Sequence, residues 1–107
     1  MIIKIKPLSI NAAFQGRRFK SPAYKLFEEE FLLIAPHREM IKGKVGIEYK
    51  FHLKNHKMAD YDNCIKTTQD LIVRKGYIED DRKIYEAKIT KVPSDEDYIE
   101  FRIYRIN

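Results

Sequence analysis

Carboxylates in this sequence fall into two short groups with a lysine between them. Asp60-Tyr61-Asp62-Asn63 stands where an alternating strand pattern hands over to a helical one, and Lys66 follows four residues after Asp62, on the same helical face. Further on, Gly76-Tyr77-Ile78-Glu79-Asp80-Asp81 brings a second acidic group to the start of a strand. Paired carboxylates on short junctions are what a hard divalent cation such as Mg²⁺ takes. It accepts oxygen ligands, few of them from protein, and keeps positions for water and phosphate oxygens. Such an ion polarises a phosphodiester and lowers the pKa of an attacking water.

Whether the two groups meet is a question of reach. A helix from Asp62 to Lys75 spans about 20 Å, and the nearly extended segment from Gly76 to Asp81 returns about 20 Å. Asp81 therefore reaches Asp60 and Asp62 only if the connection runs straight back along the helix. A plainer reading stands beside this one. Asp60 serves as a helix N-cap, Asp62 and Asn63 as first-turn residues favoured by the helix dipole, and Glu79-Asp80-Asp81-Arg82-Lys83 as a solvated turn. Residue type and spacing leave both readings open.

The elements that would position these residues are legible in the periodicity. Residues 2–6 alternate and predict a strand stopped by Pro7. Residues 7–20 lack a period and read as a long loop, a length that in a small protein points to function or disorder. Ser21-Pro22 predicts a helix start, with Ser as N-cap and Pro at the first helical position. Leu26, Phe27, Phe31 and Ile34 recur at helical spacing until Pro36 and are expected to form one core face. Val45, Ile47, Tyr49, Phe51 and Leu53 alternate with polar residues, the clearest strand in the chain. A helix over roughly 61–75 follows, with Ile65, Thr68, Leu71 and Ile72 inward and Gly76 as its stop. Strands over about 84–92 and 98–106 close the chain, the second with Ile99, Phe101 and Ile103 on one face. The turn Pro93-Ser94-Asp95-Glu96-Asp97 predicts that these two form a hairpin. The order β-α-β-α-β-β indicates an α+β fold, a mixed sheet with two helices packed on it, in a single domain over residues 1–107.

Composition narrows the function. Apolar residues are 44% of the chain, enough for a folded core. No apolar run approaches the ~18 residues of a membrane span, and the start alternates charge with Ile, so a cytoplasmic protein is expected. The one cysteine, Cys64, rules out an intramolecular disulfide and a cysteine-rich zinc site, and reads as a small buried thiol. His37, His52 and His56 follow no zinc spacing and read as surface residues or phosphate contacts. Net charge is +5, from 21 Lys and Arg against 16 Asp and Glu, which suits a polyanionic partner. Arg17, Arg18 and Lys20, with Phe19 among them, form one basic segment; Lys54, His56 and Lys57 form another just before the acidic motif.

The pattern as a whole resembles the RusA-type Holliday-junction resolvases. That family's pattern is D-x-D-N, a Lys four residues beyond the second Asp, then G-aromatic-x-x-D-D before a strand. Asp60, Asp62, Asn63, Lys66, Gly76, Tyr77, Asp80 and Asp81 match it at the same spacing, and Pro7, Ser9 and Asn11 match its P-x-S-x-N stretch. Where members often carry an Arg run before D-x-D, this chain has Asn55-His56-Lys57-Met58-Ala59. The resemblance implies that Asp60, Asp62 and Asp81 are catalytic carboxylates holding Mg²⁺ or Mn²⁺, with Asp80 as their neighbour. It implies that Lys66 is catalytic, holding the scissile phosphate or stabilising the leaving oxygen. Asn63 is expected to orient a carboxylate or water or to contact DNA, and Arg17, Arg18, Lys20 and Lys57 to grip junction arms. Phe14 or Phe19 is a candidate wedge at the crossover. A homodimer is implied as well, two-fold like a four-way junction; the family is frequent in phage and prophage genomes, and phage and chromosomal origins both stay open. Two rivals remain: a basic DNA-binding module without catalysis, and a metal nuclease acting on flaps or other branched nucleic acid.

Overall fold

The computed structural model describes residues 1–15, 19–60 and 62–107, with the backbone alone at Phe14 and Gln15. Its main sheet has four strands: β1 (Ile2–Ile3), β4 (Val45–Leu53), β5 (Ile84–Pro93) and β6 (Tyr98–Arg105), in the order β1-β6-β4-β5. β6 pairs antiparallel with β1 and β4, and β5 pairs parallel with β4, so the sheet is mixed. Two longer helices pack on it, α2 (Pro22–Ile34) and α3 (Ile65–Lys75). The α+β expectation holds.

The loop expected over residues 7–20 carries short structure. A one-turn helix α1 (Ile10–Ala13) leads into β2 (Phe14–Gln15) and β3 (Phe19–Lys20), which pair antiparallel. The first strand stops at Ile3 rather than continuing towards Pro7.

β4 is the centre of the molecule because its apolar residues alternate without a break. Val45, Ile47, Tyr49, Phe51 and Leu53 are all buried, and they meet Phe27 and Phe31 of α2, Leu71 and Ile72 of α3, and Ile99 and Phe101 of β6. Glu48, Lys50 and His52 face the other way and stay half-buried. The expected hairpin of the last two strands does not form. β5 and β6 flank β4 on opposite sides, so that Lys50 stands between Thr90 and Glu100. The connection between them crosses the end of β4, where Ser94 N–H donates to Leu53 O at 3.2 Å and Lys54 N–H to Asp97 Oδ1 at 2.9 Å. A hairpin would leave the most apolar strand at an edge; pairing both neighbours with it buries it from two sides.

α2 starts as expected, with Ser21 Oγ accepting from Tyr24 N–H and Pro22 in the first turn. Its inward face differs from the expected one. Tyr24, Phe27, Glu28 and Phe31 are buried, whereas Leu26 is 66% and Ile34 42% exposed. Glu28 goes inward because two cations meet it there, Lys20 at 3.0 Å and Arg74 of α3. Lys75 Nζ donates to Leu32 O at 2.9 Å, and Tyr24 Oη donates to Asp70 Oδ2 at 3.4 Å, completing the seam between the helices.

Candidate active site

α3 begins at Ile65, four residues later than periodicity suggested, with Cys64 as an N-cap that makes no side-chain bond. Asp60 and Asp62 therefore stand in a turn before the helix, and Asp60 is not its N-cap. The turn is held by Asn63 N–H to Asp60 O and Ile65 N–H to Asp62 O, both 3.3 Å, and Asn63 Nδ2 donates to Asp60 Oδ2 at 3.3 Å. Asn63 thus orients a carboxylate. A second anchor lies outside the turn: Lys91 of β5 donates from Nζ to Ala59 O at 2.7 Å, fixing the residue before Asp60. Both Asp60 and Asp62 are exposed; Tyr61 lies outside the described residues.

α3 ends at Gly76, whose φ of 87° is the left-handed cap that glycine adopts freely. The chain then reverses under tight control. Tyr77 and Ile78 are buried, Ile78 bridges to Ile41, and Glu79 Oε1 accepts from Gly43 N–H at 2.6 Å. This path delivers Asp80 and the 3-10 turn Asp81–Lys83, which packs against α3. Asp81 reaches the electrostatic neighbourhood of Lys66 and Asp70 on that helix.

The charges there are interlocked. Asp80 Oδ1 accepts from Arg82 N–H at 3.0 Å, and that bond together with the one to the Asp81 carboxyl holds Asp80 down to about 2. Asp81 is raised by the same hydrogen bond with Asp80 and by that neighbour's charge; Lys66 opposes the rise and Asp70 adds to it. Lys66 Nζ donates to Asp70 Oδ1 at 2.8 Å, which lifts the ammonium above its usual range. Two carboxyls pressed together beside a lysine repel one another, and a cation relieves that repulsion.

The fit to a divalent ion is therefore one of donor chemistry. The candidate ligands are carboxylate oxygens open to solvent, the type Mg²⁺ prefers. They stand in two groups, Asp60 with Asp62 before α3 and Asp80 with Asp81 after the return. Among the described residues, no three His, Cys, Asp or Glu side chains are close enough together to hold a metal.

The expected DNA contacts are spread more widely. Arg17 and Arg18 lie outside the described residues, and so does the Phe14 side chain. Lys20 is bound to Glu28 and sits 5.0 Å from the Tyr24 ring. Lys57 is exposed in the turn that leads to Asp60, and Phe19 is 73% exposed. The histidines divide: His37 is exposed, but His52 is not the surface residue expected, being stacked on Tyr98 at 4.0 Å and bonded to Glu100 at 2.9 Å.

A family model for the endodeoxyribonuclease RusA matches residues 9–104. The chain belongs to the RusA endodeoxyribonuclease family. Among curated proteins, no match was found. RusA membership makes the chain an endonuclease of the kind that resolves Holliday junctions, and the match spans both acidic groups, Lys66 and the segment starting at Ser9. No helix among the described residues is long and apolar enough to cross a membrane.

Two residues of this candidate site were missed in the sequence. Asp70 stands four residues after Lys66, and that i,i+4 spacing was the available signal. Lys91 had none, since its bond to Ala59 depends on how β5 pairs.

Proposed function

We propose that this RusA-family chain is a Mg²⁺-dependent resolvase of four-way DNA junctions, with Asp60, Asp62 and Asp81 as metal-holding carboxylates and Lys66 as the phosphate-directed cation. The observation that carries the reading is the return of Asp81 along α3 to the surroundings of Lys66. When bound, the ion would supply Lewis-acid polarisation of the scissile phosphate and a more acidic attacking water; Mn²⁺ has the same ligand preference and would substitute. The chain's own groups do the positioning. Asn63 and the Lys91–Ala59 bond hold Asp60, Asp70 aims the Lys66 ammonium, and Asp80 stands behind Asp81. Lys66 neutralises charge as the leaving oxygen departs, which yields a 3′-hydroxyl and a 5′-phosphate. Resolution requires matched nicks in opposing strands, so a two-fold homodimer with two such sites suits the substrate. Arg17, Arg18 and Lys57 are the cations proposed to meet the junction arms, with Lys20 held in reserve by Glu28.

The test is cleavage of a synthetic immobile four-way junction, with and without Mg²⁺, by wild type and by Asp62→Asn. Paired symmetric nicks that need the metal and vanish in the variant, with junction binding intact, are expected. Junction binding without cutting under any divalent ion sinks the proposal. Equal cutting of flaps and linear duplex discards the junction preference and keeps the site.

A further inference from the structure

A cleft of about 580 Å³ opens beside Asp60 and Asn63. One wall is the segment carrying Pro7, Ser9 and Asn11; the other is the turn carrying Lys54, Asn55 and Met58; Leu53 and Cys64 close the bottom. Its walls are tied down from several directions. Thr67 Oγ1 donates to Leu8 O and Ile10 N–H donates to Asn63 O, both at 2.7 Å, which clamp the first wall to the start of α3. Lys54 N–H to Asp97 and Lys91 Nζ to Ala59 O tie the second wall to β5 and to the connection that follows it. A cleft fixed in this way is built before its occupant arrives.

The lining suits one kind of occupant. The side-chain amides of Asn11 and Asn55 make no hydrogen bond to a described residue, and both side chains are exposed. Amides present donor and acceptor together, the combination that reads the edge of a base. Met58, 79% exposed, offers an apolar surface on which a flat ring rests. Lys6 and Lys54 add positive charge for a flanking phosphate. A base that enters the cleft must leave its stack.

Resting on the nuclease reading above, we propose that this cleft takes the unstacked base of the nucleotide adjoining the scissile phosphate. At a four-way branch the bases at the crossover lose least on leaving the stack, whereas in continuous duplex the same move costs a few kcal/mol. A cleft that takes an unstacked base beside Asp60 therefore makes the branch the place where the strand is cut.

The test uses four-way junctions carrying 2-aminopurine at successive positions around the crossover, bound by the full chain in Ca²⁺ so that strands stay intact. Wild type is expected to brighten the probe several-fold at one position, and Asn11→Ala/Asn55→Ala to lose that rise while still binding the junction. No brightening at any position, or equal brightening by the variant, overturns the proposal. Asp62→Asn is carried alongside. If it cuts nothing and still brightens the probe, the cleft acts separately from the cutting chemistry. If wild type brightens the probe and cuts nothing in Mg²⁺, the nuclease reading fails and the cleft stands.

Discussion

Lys66 is paired with a carboxylate on its own helix. Asp70 sits one turn further along α3, accepts from the Lys66 ammonium at 2.8 Å, and is itself met by the Tyr24 hydroxyl at 3.4 Å. The hydrogen bond that Lys66 donates to Asp70 is the main reason the lysine's pKa is raised. A raised pKa on a cation means that its charge survives to higher pH, so removing Asp70 lowers it and the charge is lost earlier. Asp70→Asn is therefore expected to move the alkaline limb of the cleavage pH profile to lower pH. It should also slow cutting about tenfold, the usual size for a residue that aims another. Junction binding should change little. An alkaline limb that stays where wild type has it would remove Asp70 from this role. Cys64 shows the opposite pressure: burial pushes its thiol up to about 11, which keeps it protonated and inert beside the proposed site.

At the scale of elements, the centre of the sheet depends on one glycine. Gly46 lies in β4 directly opposite Tyr104 of β6, and a Cβ built on it would fall 2.3 Å from the tyrosine ring. Tyr104 is held over that position by its hydroxyl bond to Glu86 at 2.7 Å and by Arg102, 4.8 Å from the ring. Gly46→Ala must push the ring aside and is expected to destabilise the fold by about 1–3 kcal/mol in urea unfolding. In a Tyr104→Ala background the same substitution should cost close to nothing, because the two side chains no longer compete. Additive losses would show that the close approach is not the cause. The same logic of backbone geometry operates at Gly76, where the left-handed cap lets the chain turn back towards Lys66.

For the molecule as a whole, the surplus of +5 and the two-fold symmetry of a junction make a joint prediction. A 12.8 kDa chain should sediment at about twice that mass, and junction affinity should fall steeply as salt rises, since each neutralised phosphate releases counterions. A single monomer on the junction would sink the dimer, and salt-independent binding would remove the basic surface from the account. How the molecule is assembled also separates what was readable from what was not. Local rules sufficed for β4, where the alternation from Val45 to Leu53 dictated a strand with one buried face. They sufficed for Ser21-Pro22 and Gly76, which bound their helices by caps, and for the spacing of Asp60, Asp62, Lys66 and Asp81 that marks the family. They failed wherever a residue's fate depends on a partner far along the chain. Glu28 turns inward because Lys20 and Arg74 meet it; β5 and β6 avoid each other because β4 buries more apolar surface between them. The bond from Lys91 to Ala59, the approach of Asp81 to Lys66 and the cleft walled by Asn11 and Asn55 exist only once those strands have chosen their neighbours. The sequence by itself determined the elements and the chemistry of the carboxylates, since periodicity, caps and ligand type are properties of short segments. Tertiary structure alone decided which groups face one another, because that choice is made by the burial and charge pairing of the whole chain at once.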